Sequence, residues 1–144
     1  MKRVDTTIAV ITGASSGIGK AIAIHLAKSG AYVCLVGRNL RKLEALKRED
    51  KTLTSHFGCY QADLSLEDNL RKLTQKIRTD FNRIDFLVHS AGAISMGSVE
   101  DASIKDLDKQ FSINVRAPYY LTQKLLGLLK QSQGQIVFIN SSVL

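Results

Sequence analysis

A glycine-rich turn between an apolar strand and an amphipathic helix constrains the fold of this chain more than any other feature. Residues 7–11 are β-branched or apolar without a helical period, and Thr12-Gly13-Ala14-Ser15-Ser16-Gly17-Ile18-Gly19 follows them. Apolar residues then recur at helical spacing to about residue 29, and Gly30 stands where a left-handed helix cap belongs. Closely spaced glycines at a helix start let backbone N–H groups approach a phosphate, although such a turn can also be purely structural.

The rest of the chain repeats the order of strand and helix. Apolar runs predict strands over residues 32–36, 56–62, 85–89 and 135–140, and helical periodicity predicts helices over residues 40–47, 66–81 and 104–130. Continuous apolar strands that alternate with amphipathic helices indicate a doubly wound parallel sheet covered on both faces. We therefore expect an α/β fold of about five strands in one domain, residues 1–144.

Composition narrows the class of protein. No stretch approaches 18 consecutive apolar residues, and Asp5 stands where a signal peptide would begin its apolar part, so we expect a cytoplasmic protein without a membrane span. The basic residues behind the net charge of +7 are scattered over predicted helix faces, and this distribution argues against nucleic-acid binding. The positive charge itself suits a phosphate-rich ligand. Cys34 and Cys59 lie in or beside apolar runs, which favours buried reduced thiols over a disulfide framework or a metal site.

The spacing Thr12-Gly13-x-x-x-Gly17-x-Gly19 resembles the cofactor signature of the short-chain dehydrogenase/reductase family, and later motifs fall in that family's order. The resemblance covers essentially the whole chain. It implies a Rossmann-type domain, incomplete at its C-terminus, that binds NAD or NADP at the carboxyl ends of the strands. It also implies that the loop residues Ser15, Ser16 and Ile18 contact the cofactor together with the glycines.

The end of the second strand indicates which cofactor binds. An acidic residue there would bind the ribose hydroxyls of NAD, whereas an arginine accommodates the extra phosphate of NADP. The sequence Gly37-Arg38-Asn39 has no carboxylate, so we expect NADP in preference to NAD. The alternative is that Arg38 is a solvated residue at the start of a helix. Ser16 departs from the NADP pattern, because NADP-preferring relatives often carry a basic residue at that position.

The resemblance extends to the ends of the third and fourth strands. Asp63-Leu64 matches the family's pair of Asp and an apolar residue, whose carboxylate accepts from the adenine amino group, although this Asp could instead start a helix. His89-Ser90-Ala91-Gly92 stands where the family usually has Asn-Asn-Ala-Gly, and its last three residues are expected to approach the cofactor. We expect His89 to pack or to hydrogen-bond rather than to act as an acid or base.

Two further residues are candidates for catalysis. Pro118 removes the helical bond to the carbonyl of Asn114, and a free carbonyl can hold a water. In the family, the matching asparagine belongs to the catalytic tetrad and its carbonyl anchors a water in a proton relay; the alternative is a helix kink with a surface asparagine. Ser141 matches the catalytic serine that polarises the substrate, with Ser142 as the alternative if the match slips by one residue.

The family's Tyr-x-x-x-Lys pair would follow roughly a dozen residues beyond the serine, and the sequence ends before it. Tyr120 and Lys124 have the right spacing but precede the fifth strand. We therefore expect an NAD(P)-dependent oxidoreductase that transfers hydride between nicotinamide and a small-molecule carbonyl or alcohol, truncated and impaired in this form. The alternative is a non-catalytic nucleotide-binding fragment or module. For a full-length relative we expect a homo-oligomer that associates through the long helix.

Overall fold

The computed structural model describes residues 6–141, and its centre is a parallel sheet of five strands. The strands pair in the order β3-β2-β1-β4-β5. Their bounds are β1 (Ile8–Thr12), β2 (Tyr32–Gly37), β3 (Phe57–Gln61), β4 (Phe86–His89) and β5 (Gln135–Phe138). This is the doubly wound α/β fold of Rossmann type that the sequence predicts, and the strand order reverses direction between β1 and β4.

Five helices cover the sheet in the described part of the chain. Their bounds are α1 (Gly17–Lys28), α2 (Leu40–Glu49), α3 (Glu67–Asp80), α4 (Ile104–Phe111) and α5 (Ala117–Ser132), and a short 3₁₀ turn (Thr54–His56) precedes β3. The strand bounds and the bounds of the first three helices agree with the prediction to within two residues. None of the described helices combines the length and apolar character that crossing a membrane requires.

Two hydrophobic cores lie on opposite faces of the sheet, and the strands supply both by alternation. In β1, Ile8 and Val10 join the core under α3 and α5, whereas Ala9 and Ile11 join the core under α1 and α2. All five residues of β1 are buried, as expected for a central parallel strand with helices on both faces. Gly30 at the end of α1 has the expected positive φ of 92°.

The long helix predicted over residues 104–130 is interrupted in its middle. α4 ends at Phe111, and Ser112–Arg116 forms a π turn before α5 begins. The N–H of Ala117 donates to the carbonyl of Ser112, five residues back. Pro118 follows with no N–H to donate, so the carbonyl of Asn114 loses its usual helical donor next to the π turn.

β5 is an edge strand of the described sheet, because among the described residues it pairs with β4 on one side and with no strand on the other. Phe138 on this strand is 62% exposed. The carboxyl ends of β1, β4 and β5 nevertheless stay aligned, since the N–H of Ile139 continues the ladder to the carbonyl of His89. This alignment brings the residues after each strand to one edge of the sheet.

Candidate functional site

A cleft of about 780 Å³ opens at the carboxyl ends of the strands. It lies where the strand order reverses, which is where ligands bind in open parallel sheets. The turn after β1 forms its floor, and residues that follow β2, β3 and β4 form its walls. Most of the residues predicted to bind a cofactor line it: Gly13, Ser15, Ser16, Gly17, Ile18, Arg38, Leu64, Ser90, Ala91 and Gly92.

The glycines of the first turn are needed for different physical reasons. A Cβ on Gly13 would lie 2.8 Å from the backbone of Ala91, and one on Gly19 would lie 2.4 Å from the carbonyl oxygen of Gly13. Both positions therefore allow two backbones to approach closely. Gly17 has a φ of 55° and open space in front of it. The turn is thus closely packed at Gly13 and Gly19 and open at Gly17, which lines the cleft.

The start of α1 faces the cleft with its positive end uncompensated. The side chain of Ser16 makes no capping hydrogen bond, and the first turn of α1 holds no acidic residue. Helix N-termini carry a partial positive charge and free N–H groups, which favour an anion. The local arrangement therefore suits a phosphate group.

Thr12 joins the two central strands beneath the cleft. Its Oγ1 accepts from the N–H groups of Ser90 and Ala91, both at 3.1 Å, and donates to the carbonyl of Val88 at 3.4 Å. The residue is 1% exposed and does not line the cleft. Its contribution in this structure is to hold the turn after β4 against the turn after β1.

Arg38 leaves β2 at the rim of the cleft with an exposed side chain. Its carbonyl accepts from the side-chain amide of Gln61 at 3.0 Å, which fixes its backbone. Asn39 caps α2 by accepting from the N–H of Lys42. Within residues 6–141 the Arg38 guanidinium has no ion-pair partner, so its charge is available at the rim.

Asp63 closes a tight turn after β3. Its Oδ1 accepts from the N–H and the hydroxyl of Ser65, at 2.9 and 2.6 Å. These bonds hold the pKa of Asp63 below its usual range, and the positive charges of Arg38 and Lys109 lower it further. The helix that follows begins only at Glu67, so Asp63 does not start it directly. Asp63 itself is not among the lining residues, and its neighbour Leu64 is.

His89 is packed below the cleft rather than exposed in it. The residue is 4% exposed, its ring stacks on Phe138 at 4.8 Å, and its Nε2 lies 3.0 Å from the hydroxyl of Thr122. Its Nδ1 is buried and has no hydrogen-bond partner among the described residues. Burial lowers the pKa of His89 to about 4, so the ring is neutral near pH 7. This geometry agrees with the expected packing and hydrogen-bonding role.

Asn114 holds the loop that follows β4. Its Oδ1 accepts from the N–H of Ala93 at 2.8 Å, and its Nδ2 donates to the carbonyl of the same residue at 2.7 Å. The side chain thus makes two hydrogen bonds to one residue, although Asn114 is exposed, as in the alternative of a helix kink with a surface asparagine. The water-binding role concerns the main-chain carbonyl of Asn114 and stays a prediction.

The candidate serine lies beyond the end of β5. Ser141 is exposed, its N–H bonds the side chain of Asn140 at 2.9 Å, and it does not line the cleft, although nearby Ile139 does. Ser142 lies outside the described residues. Tyr120 and Lys124 stay on α5 away from the cleft lining, with the ammonium 5.6 Å from the ring centre.

One wall of the cleft was missed by the sequence reasoning. It is the face of α4 and the π turn formed by Asp106, Lys109, Gln110 and Ile113. These residues follow the spacing i, i+3, i+4 and i+7, which marks one side of a helix. This spacing is visible in the sequence. Polar and charged residues on one face of a helix, however, usually indicate that the face is exposed to solvent. Other residues missed in the lining are Gly37, Ala62, Ala93, Ile94, Ser95 and Ile139.

Metal and thiol chemistry find no support in the described part of the chain. No group of three or more metal-binding side chains comes together in it. Both cysteines are free, and Cys34 is fully buried. Burial raises the pKa of Cys34 and raises that of Cys59 to about 11, so both thiols are protonated near pH 7.

Comparisons with known proteins agree with this geometry. The family model for short chain dehydrogenases matches residues 7–143. An uncharacterized oxidoreductase of Staphylococcus epidermidis is 34% identical over 142 residues, which cover 98% of this chain and 60% of that protein.

Solved structures share the fold at similar identity. A metagenomic short-chain oxidoreductase in complex with NADP superposes with a TM-score of 0.86 at 31% identity, over 94% of this chain and 62% of that one. A short-chain dehydrogenase from Sphingobium yanoikuyae in complex with NADPH gives a TM-score of 0.83 at 30% identity, over 94% and 54%. The chain thus spans 54–62% of the length of these three proteins. Because the family match and the shared fold extend over nearly all of this chain, it belongs to the short chain dehydrogenase family.

Proposed function

We propose that this chain is the NADP-binding domain of an oxidoreductase that transfers hydride between the nicotinamide and a carbonyl or alcohol group of a small molecule. The observation that carries the proposal is the cleft at the strand reversal, with an open glycine turn at one end and the unpaired Arg38 at its rim. When bound, NADP supplies or accepts the hydride. Two related solved structures contain NADP or NADPH, which supports this choice of cofactor.

The first turn is the proposed pyrophosphate site. The N–H groups at the start of α1 and the hydroxyls of Ser15 and Ser16 face the cleft, and the first turn of α1 holds no acidic residue. The open space in front of Gly17 leaves room for a phosphate to approach the backbone. Gly13 and Gly19 allow the close backbone contacts of that turn, because neither position has space for a Cβ.

The adenosine end is proposed to lie between the loops after β2, β3 and β4. Arg38 would bind the additional ribose phosphate of NADP by charge-assisted hydrogen bonds. Leu64 and Ala91 offer apolar surface on either side. Asp63 uses one carboxylate oxygen on Ser65, and we propose that its other oxygen accepts from the adenine amino group.

The chemical end is proposed to involve Asn114 and Ser141. The carbonyl of Asn114 would hold a water for proton transfer, because Pro118 cannot donate a helical bond to it. The hydroxyl of Ser141, or of Ser142, would polarise the substrate oxygen. No tyrosine follows Ser141 in the 144 residues, so we expect this chain alone to bind NADP poorly or moderately and to turn over very slowly; the alternative is a non-catalytic nucleotide-binding module.

The test is a comparison of NADPH and NADH binding by nicotinamide fluorescence. We expect the wild-type chain to prefer NADPH and Arg38→Ala to reduce that preference by about tenfold, the value of a hydrogen bond to a charged group. Arg41→Ala is the matched control, since Arg41 is an exposed arginine on α2 that does not line the cleft. Equal binding of both cofactors by the wild-type chain would show that the NADP assignment is wrong.

We also propose that the exposed apolar face of α4, the π turn and α5 pairs with a second copy of the chain. Large apolar side chains recur along this face at spacings of four and seven residues. Because monomeric proteins rarely expose such continuous patches, this face is a candidate interface. They are Leu107, Phe111, Val115, Tyr119 and Leu126. Sedimentation of the wild-type chain and of Phe111→Asp tests this: we expect a dimer that the substitution converts to a monomer.

A further inference from the structure

The loop of residues 63–66, here called the adenosine-side loop, is held by a local set of hydrogen bonds. The N–H of Asp63 donates to Oδ1 of Asn69 at 3.0 Å, and the N–H of Leu66 donates to the carbonyl of Asp63 at 3.1 Å. Ser65 bonds the carboxylate of Asp63 twice. The loop therefore has a defined shape, and this shape places Leu64 in the lining of the cleft.

A side chain from a distant part of the sequence completes this set. Nη2 of Arg116 donates to the carbonyl of Ser65 at 2.8 Å, across 51 residues of sequence. The local bonds attach the loop to itself and to α3, whereas Arg116 attaches it to the helical layer that carries the other wall of the cleft. Without that bond, the loop would lose its polar attachment to the π turn, and its local hydrogen bonds would open more often.

Arg116 belongs to the same π turn as Asn114, which holds the loop after β4 through Ala93. Residues two apart on a helical segment do not face each other, so the two side chains reach in different directions. One reaches the adenosine-side loop and the other reaches the loop that contains Ala93. Residues of both loops line the cleft, so a single π turn holds two of its walls.

We infer that Arg116 is a positioning residue for the adenosine end of the cleft. Its guanidinium fixes the adenosine-side loop, and through it the place of Leu64, without itself contacting the cofactor. The structural part of the inference stands on the hydrogen bonds above. Its consequence for cofactor affinity rests on the proposed function.

Amide hydrogen exchange tests the structural part without any ligand. The N–H groups of Asp63, Ser65 and Leu66 report on the loop, because each donates one of its bonds. We expect Arg116→Met to accelerate their exchange by about tenfold, the value of one hydrogen bond to a charged group, and Arg116→Lys to restore part of the protection. Arg78→Met is the control, since Arg78 is an exposed arginine on α3 outside the cleft lining.

The outcomes separate positioning from general stabilisation. Faster exchange confined to the loop, with unchanged exchange of the buried α5 residues Leu121 and Leu125, supports the inference. Unchanged exchange in the loop would overturn it, and so would an equal acceleration in α5, because Arg116 would then stabilise the fold as a whole.

Affinity measurements on the same variants test the consequence for the cofactor. We expect Arg116→Met to weaken NADPH and its adenosine bisphosphate fragment by the same factor, because the disturbed contacts lie at the adenosine end. A loosened loop with undiminished affinity would overturn the role in cofactor binding. If the wild-type chain bound no NADPH at all, the proposed function would fail while the exchange result kept its meaning.

Discussion

Replacing Thr12 by valine removes one hydroxyl and almost no volume. That hydroxyl oxygen accepts from two backbone N–H groups, those of Ser90 and Ala91, and the residue is 1% exposed. An unsatisfied buried donor costs about 1–3 kcal/mol. Both N–H groups are only partly buried, which favours the lower half of that range. We therefore expect Thr12→Val to lower the free energy of unfolding by about 2–4 kcal/mol, a large part of the 5–15 kcal/mol that is typical of a domain.

Urea unfolding followed by circular dichroism measures this loss. With a urea dependence of about 2 kcal/mol per M, the midpoint should fall by about 1–2 M. Thr12→Ser is the matched control, because it keeps the hydroxyl and loses one methyl group, at a cost of about 1 kcal/mol. If the valine variant were as stable as the wild-type chain, the two N–H bonds would contribute nothing and the assignment of Thr12 as a brace would be refuted.

Two further predictions concern the glycine turn and the buried histidine. Gly19→Ala should destabilise the fold and abolish NADPH binding, because the new Cβ would lie 2.4 Å from the Gly13 carbonyl oxygen. Gly17→Ala meets open space and should cost only about 1–2 kcal/mol for its left-handed backbone. Urea unfolding of the two variants compares their stabilities, and equal losses would contradict the close-approach argument. Burial lowers the pKa of His89 in the folded chain from 6.5 to about 4, so the unfolded chain takes up a proton first and stability should fall by about 3 kcal/mol as the pH drops from 6.5 through 4. A His89→Asn variant should lose that part of the acid dependence, and an unchanged acid limb would show that other groups cause it.

Local patterns in the sequence were sufficient to predict the elements and the place of the phosphate turn. Alternation of apolar strands and amphipathic helices depends on near neighbours in the chain, and so does the left-handed cap at Gly30. The same holds for the glycine spacing after β1. The interruption at Pro118 was partly predictable, since a proline must leave a carbonyl without its helical donor, but the sequence did not show that a π turn would precede it.

The walls of the cleft depended on contacts that no local pattern encodes. Lys109 lines the site although its residue type and spacing are typical of a solvated helix face. Asn114 acts in this structure through its side chain on Ala93, whereas the sequence argument concerned its carbonyl. Arg116 gave no signal at all, because its acceptor is a backbone carbonyl, which every residue has.

The sequence by itself thus determined where strands, helices and the phosphate turn occur, because those features follow from the conformational preferences and periodicity of adjacent residues. Only the tertiary structure decided that Thr12 braces Ser90 and Ala91, that His89 is buried against Phe138, and that one π turn holds two loops. These contacts join residues 21 to 79 positions apart or lie between neighbouring strands. They exist because the strand order and the crossovers bring the carboxyl ends of the strands to one edge, where backbone groups left over from the sheet must find partners.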